Sequence, residues 1–274
     1  MRSSALALAR SCHPEPALVV SAVAGLLSLS VGRGLGSLWM VAAVLAGQLS
    51  VGWTNDYLDR DLDRRQSRSD KPVAAGLISP RAVALAALLA LAACLPLSLA
   101  SGLPSAAAHL AAVACAMAYN AGLKLTAASV VPYAIAFGLM PTAITEAPPL
   151  HHLPPAWAIA GAALFGSGAH FTQVLPDIAA DRSAGIRGLP QRLGAWRSAL
   201  AAAILLLASV CLITLGPGVG RPPTLELAPL ALSVVLTGGI LLAAARDQPR
   251  LAFRLTLAVA ALAGGAFLLS GRSL

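Results

Sequence analysis

Apolar residues in this chain fall into nine long runs separated by short polar stretches. The runs lie at roughly 17–32, 37–55, 81–101, 104–122, 127–146, 155–176, 197–215, 225–245 and 251–270. Each is near the ~20 residues that a helix needs to cross a bilayer. Ala, Leu, Gly and Ser dominate them, so neighbouring helices can approach closely through small faces. Ahead of the first run, residues 1–12 form a short amphipathic stretch broken by His13-Pro14-Glu15-Pro16. That pattern predicts a helix lying on the cytoplasmic membrane surface rather than a cleavable signal peptide.

Composition supports the same class. Of 274 residues, 58% are hydrophobic and 11% charged, with a mean hydropathy of +0.78. A soluble domain carries about 25% charged residues, so an ordinary cytosolic enzyme is unsupported and a disordered chain is excluded. The reading is an all-α polytopic membrane protein. Net charge is +8, yet the arginines form no single basic stripe of the kind that would mark a nucleic-acid partner. They lie between apolar runs, as cytoplasmic loops near anionic lipid do. With a cytoplasmic N-terminus, 16 of the 19 Lys and Arg fall on the inner side, leaving Arg33, Arg221 and Arg272 outside. This bias supports nine spans, with the C-terminus outside. Four scattered cysteines (Cys12, Cys94, Cys115, Cys211) show no metal or disulfide spacing and read as free thiols.

Acidic residues are concentrated. Seven of the 11 lie in 55-NDYLDRDLD-63, Asp70 and 177-DIAAD-181. On a helix, Asp56, Asp59 and Asp63 share a face with Asn55 beside them, and Asp177 and Asp181 are likewise co-facial. Like charges this close disfavour one another unless a cation intervenes. Mg²⁺ prefers oxygen ligands and typically joins one or two carboxylates to substrate phosphate oxygens. Two acidic faces opposed across a cavity could therefore hold Mg²⁺ and a diphosphate. The alternative is a solvated loop in which the acids pair with Arg60, Arg64 and Arg65. Asp59 and Asp63 precede Asp177 and Asp181 by 118 residues, which suggests two four-helix halves followed by a ninth helix. Arg outnumbers Lys 17 to 2, and the two lysines, Lys71 and Lys124, follow the first motif and the fourth run. An ammonium suits a phosphate approached as a point charge, although residual surface lysines would look the same.

At these residues the chain resembles the UbiA superfamily of intramembrane prenyltransferases. The NDxxDxxxD signature stands at Asn55–Asp63, and DxxxD at Asp177–Asp181 runs on into Arg182-Ser183-Ala184-Gly185-Ile186-Arg187-Gly188-Leu189-Pro190. Asp70-Lys71-Pro72 with Gly76-Leu77-Ile78-Ser79, and Tyr119 to Thr126, are also similar to family segments. The resemblance implies a nine-helix UbiA-like fold in one domain, 1–274. Within it, 1–16 would be an interfacial segment, and 56–80 and 176–196 the cytoplasmic active-site loops. It implies that Asn55, Asp56, Asp59, Asp63, Asp177 and Asp181 bind Mg²⁺, with Lys71, Lys124 and Arg187 on the diphosphate. Asp59, Asp177 and Lys124 would carry catalysis, by stabilising diphosphate departure from an allylic carbon. A small acceptor would then be alkylated away from water. Where hydroxybenzoate-type members often carry a Tyr before the second motif, this chain has His170 to Pro176. His170 and Gln173 could line the acceptor side, or His170 could simply pack. Tyr57, Tyr119 and Asn120 are further candidates for contact with the acceptor or the allyl cation.

Two other functions compete. A terpene cyclase of the same superfamily would ionise the prenyl chain without an acceptor. An ion-coupled transporter would place its acids at the midplane rather than at one face. The charge distribution generates a direct test. In a variant lacking the native cysteines, a Cys at position 67 should resist a membrane-impermeant thiol reagent in intact cells, and one at position 151 should label. Labelling of position 67 from outside would reverse the topology.

Overall fold

A computed structural model describes residues 2–218, 223–270 and 274; Arg221 and Arg272 lie outside the described residues. Helices are α1 (Arg2–Ser11), α2 (Pro14–Ser30), α3 (Ser37–Arg65), α4 (Pro80–Leu99), α5 (Leu103–Ala121) and α6 (Val131–Thr145). They continue as α7 (Ala156–Val174), α8 (Ile178–Ser183), α9 (Leu189–Leu193), α10 (Ala195–Leu215), α11 (Pro223–Ala245) and α12 (Pro249–Ser270). Proline recurs in the first turn, where its missing N–H costs nothing. At α4, Ser79 caps the helix by accepting from the Ala82 amide at 3.2 Å.

Among the described residues, the nine helices of 15 or more residues coincide with the nine apolar runs. Length and hydropathy alone qualify α3, α4, α10, most of α11 and α12 as spans, plus α1 and α2 together if their 60° bend is one broken span. The protein is thus an integral membrane protein with five or six helices that pass on their own composition. α6 is too short for that test. α5 and α7 carry His109, Asn120, His170 and Gln173 among small residues, and the three histidine and asparagine side chains are buried. By contrast, α4 turns Leu85, Leu88, Leu89 and Leu95 outward, as a lipid-facing helix does.

Small residues set the packing. α7 lies so close to α10 that a Cβ on Gly161 would stand 2.7 Å from Ile213, and one on Gly168 2.7 Å from Leu206. α3 packs against α2, α4 and α5, and α7 against α6 and α10. α12 closes the ring onto α11, α10, α7 and α2. The central core includes Met40, Val44, Ile144, Leu206, Val210 and Ile213.

Alternating helix directions segregate the two ends of the bundle. At one end, the turns following α2, α4 and α6 converge on Arg33, which is only 6% exposed. Its Nη2 donates to Ser101 Oγ at 3.1 Å and its Nε to the Pro148 carbonyl at 3.3 Å. No carboxylate pairs with it among the described residues. The negative dipole ends of the three helices that these turns follow favour a cation there. Arg33→Ala should lower stability by about 2 kcal/mol, the worth of hydrogen bonds to a charged group. Thermal unfolding in detergent measures it. An unchanged midpoint would mean that Arg33 holds nothing together.

Candidate functional site

Both acidic motifs lie at the other end. α3 does not stop where its apolar run stops; it continues about three turns further, to Arg65, and carries the first motif on helix rather than loop. Asp56 is 1% and Asp63 6% exposed. Asn55 donates from Nδ2 to Asp59 Oδ2 at 2.9 Å and to Asn120 Oδ1 at 3.3 Å. Asn120 in turn donates to the Val51 carbonyl at 2.9 Å, which ties the end of α5 to α3. One turn beyond Asn120, Lys124 pairs with Asp59 Oδ1.

Lys71 reaches the motif because the chain doubles back. Ser67 takes a left-handed conformation, φ 53°, just beyond the end of α3, and the Arg68 amide bonds back to the Asp63 carbonyl at 3.0 Å. Val73, fully buried, anchors the returning loop. Lys71 Nζ then donates to Asp56 Oδ1 at 2.8 Å, and His13 Nε2 stands 3.3 Å from the same oxygen.

The second motif follows α7 through a tight turn seated by buried Leu175 and Ile178. Asp177 Oδ1 accepts from Arg68 Nη1 at 3.1 Å, while the same guanidinium grips Asp70 through two 3.0 Å bonds. Arg68, whose amide is bonded to the Asp63 carbonyl, thereby ties the loop that follows the first motif to the second motif, across 109 residues of sequence. Its hydrogen bonds hold the Asp70 carboxyl below its ordinary range. Asp181 accepts from Gln191 Nε2 at 2.7 Å, and burial, with Asp177 adding, pushes its carboxyl up.

Deeper in the bundle, aromatic groups gather. Tyr119 meets Tyr133 edge-on at 5.1 Å between centroids, and His170 lies 5.6 Å and 4.8 Å from the two rings. Tyr133 donates to Gln173 Oε1 at 2.9 Å. Ser129 Oγ stands 3.1 Å from His170 Nε2 and accepts from the Leu189 amide at 3.0 Å. Phe137 stacks beyond Tyr133 and leads to an apolar cavity lined by Val19, Val23, Met140, Phe165, Ala263 and Phe267.

Of the residues that the sequence marks, Asn55, Asp56, Asp59, Asp63, Lys71, Asn120, Lys124, Asp177 and Asp181 share this end, and Tyr119, His170 and Gln173 form the aromatic group. Two stand apart. Tyr57 lies under the Arg60 guanidinium at 4.6 Å, on the α3 face where Arg60 and Arg64 flank Asp61. Arg187 is exposed, and its side chain has no hydrogen bond or ion pair among the described residues. Sequence reasoning missed His13, Arg68, Gln191, Ser129 and Tyr133. Gln191, directly after the matched Leu189-Pro190, carried a positional signal; the others had none that spacing could reveal.

Among the described residues, no three acidic, His or Cys side chains stand close enough together to hold an ion as they are arranged. Asp56, Asp59 and Asp177 each engage a cationic side chain instead. Yet Asp56 Oδ2 and Asp63 Oδ2 are buried with no hydrogen-bond partner, a costly condition that a bound cation would relieve. The donor set fits a hard, oxygen-seeking metal.

A match to the UbiA prenyltransferase family spans residues 16–259. Among solved structures, an apo UbiA homolog from Aeropyrum pernix K1 is similar, with 21% identity and a TM-score of 0.76, over 93% of this chain and 98% of that one. A UbiA homolog from Archaeoglobus fulgidus bound to GPP and Mg²⁺ has 18% identity and a TM-score of 0.71, over 98% and 100% of the two chains. A digeranylgeranylglyceryl phosphate synthase has 16% identity and a TM-score of 0.69, over 100% of both. At these identities the likenesses establish the fold. No curated protein matches the sequence.

Proposed function

The chain belongs to the UbiA prenyltransferase family, and we propose that it is a Mg²⁺-dependent enzyme that ionises an isoprenyl diphosphate and transfers the prenyl group to a small lipophilic acceptor. The observation that carries this is that the chain's only two lysines engage the first acidic motif, while Arg68, from the loop that follows it, engages the second. The GPP and Mg²⁺ bound by the Archaeoglobus homolog add support. In this reading all nine long helices span the bilayer as two four-helix halves and a ninth, in one domain. The N-terminus and the acidic end face the cytoplasm, where diphosphates and Mg²⁺ are supplied.

Asn55, Asp56, Asp59 and Asp63 from α3, with Asp177 and Asp181 from the second motif, would hold Mg²⁺, which supplies Lewis-acid stabilisation of the departing diphosphate. Lys71, Lys124 and Arg68 neutralise the carboxylates at rest and turn to the phosphate oxygens as substrate arrives. The exchange keeps Asp56, Asp59 and Asp177 from being left without a cation, which the low dielectric of the site favours. Arg187, exposed near the second motif, adds charge at the mouth. The prenyl tail runs past Phe137 into the apolar cavity, whose lining offers it almost no polar surface. The electron-rich faces of Tyr119 and Tyr133 stabilise the allyl cation. His170 and Gln173 line the acceptor side, and the surrounding apolar helices keep water from capturing the cation.

Asp59→Asn and Asp177→Asn should each lower turnover of geranyl diphosphate about a hundred-fold or more while the protein stays folded in detergent, because charge stabilisation is made in the transition state. Lys124→Ala should raise KM and lower kcat together. Pyrophosphate release measures all three. Near-wild-type release by either Asp variant would contradict the metal assignment, and an unchanged kcat/KM would return Lys124 to an ordinary surface role.

A further inference from the structure

A third group meets the Asp56–Lys71 pair, and it comes from outside both acidic motifs. His13 lies in the turn between α1 and α2 with φ 55°, a conformation that residues bearing a Cβ seldom adopt. Its Nε2 is 3.3 Å from Asp56 Oδ1 and 3.0 Å from Lys71 Nζ. The helix that delivers it is fastened to α3 immediately before the first motif. Trp53 Nε1 donates to the Leu8 carbonyl at 2.9 Å. The backbone of Cys12 presses on Gly52 so closely that any Cβ there would collide with it. Glycine at position 52 is therefore a condition for His13 reaching the site.

The two neighbours make incompatible demands on that nitrogen. An ammonium can only donate a hydrogen bond, and an ionised carboxylate can only accept one. With its lone pair on Nε2, neutral His13 accepts from Lys71; with its hydrogen there, it donates to Asp56. The His13 side chain is 40% exposed, so water can carry the proton between Nδ1 and Nε2 with no change in net charge.

We propose that His13 is a positioning residue that holds Asp56 while Lys71 leaves it. When Lys71 turns to the diphosphate, His13 Nε2–H takes its place on Asp56 Oδ1, and the buried carboxylate keeps both a donor and its orientation toward the metal. The N-terminal helix is then part of the active site. This rests on the prenyl-diphosphate reading, because it needs Lys71 to act on phosphate.

The test is equilibrium binding of geranyl diphosphate to the full chain in detergent, with Mg²⁺ and with EDTA. His13→Ala should weaken Mg²⁺-dependent binding roughly ten-fold, as loss of a partner that orients a metal ligand does. Its melting temperature in EDTA should stay that of the wild type. His13→Gln, which keeps a donor and an acceptor, should restore most of the affinity. In a Lys71→Ala background the His13→Ala change should weaken binding at least as much again, because His13 then remains as the donor beside Asp56 Oδ1. Wild-type affinity in His13→Ala, while Lys71→Ala is weakened, would overturn the role of His13 alone. No further loss in the Lys71→Ala background would mean that His13 acts only through Lys71, and a lowered melting temperature would make it a structural strut; either result also overturns it. If the wild type fails to bind, or Lys71→Ala binds as tightly as the wild type, the functional reading itself falls.

Discussion

Ionised carboxylates at the end of an apolar bundle are expensive to desolvate, and the arrangement of this protein follows from how that cost is met. Asp56 is almost wholly buried and rests on Lys71 and His13. Asp59 rests on Lys124, and Asp177 on Arg68. These cations come from the loop after α3, from the end of α5 and from the turn before α2, so the charges can be balanced only when the whole end of the bundle is assembled. Two carboxylate oxygens, on Asp56 and Asp63, are left without partners. Removing one member of such a set strands a buried charge, so single changes there should carry large effects.

The rest of the fold serves that end. The reversals between α3 and α7 return both motifs to one end, and glycine contacts pack α7, which leads into the second motif, closely on α10. At the opposite end, Arg33 is the one buried cation among the described residues, held by the Ser101 hydroxyl and the Pro148 carbonyl rather than by acids. Between the two ends, the ladder from Tyr119 and Tyr133 to Phe137 and Phe165 grades from polar chemistry to hydrocarbon. A substrate with a charged head and an isoprenoid tail matches that gradient along its length.

Much of this was legible in the sequence, because membrane helices announce themselves by length and acids in apolar surroundings stand out. The nine apolar runs coincide with long helices, though α5, α6 and α7 are too short or too polar to qualify as spans by themselves. The boundary of α3 was hidden: its last turns are as polar as a loop, and helical continuation shows only in the co-facial spacing of Asp56, Asp59 and Asp63. The pairing of Arg60 and Arg64 with Asp61 fits a charged surface beside the acidic face of the same helix. His13 and Arg68 were not readable, because their roles depend on chain reversals that bring together residues 43 and 109 positions apart. Tyr57 shows the converse: adjacent to Asp56 in sequence, it is turned by helical geometry toward Arg60.

The central claim is that the basic side chains hold the carboxylates until a diphosphate draws them away, so that metal and diphosphate bind as a coupled pair. Calorimetric titration of the detergent-solubilised protein with Mg²⁺, alone and in the presence of a non-ionisable geranyl thiolodiphosphate, measures that coupling. The account predicts weak Mg²⁺ binding to the free protein and binding at least ten-fold tighter with the analogue present, a difference of about 1.4 kcal/mol. Mg²⁺ binding that is equally tight with and without the analogue would contradict it.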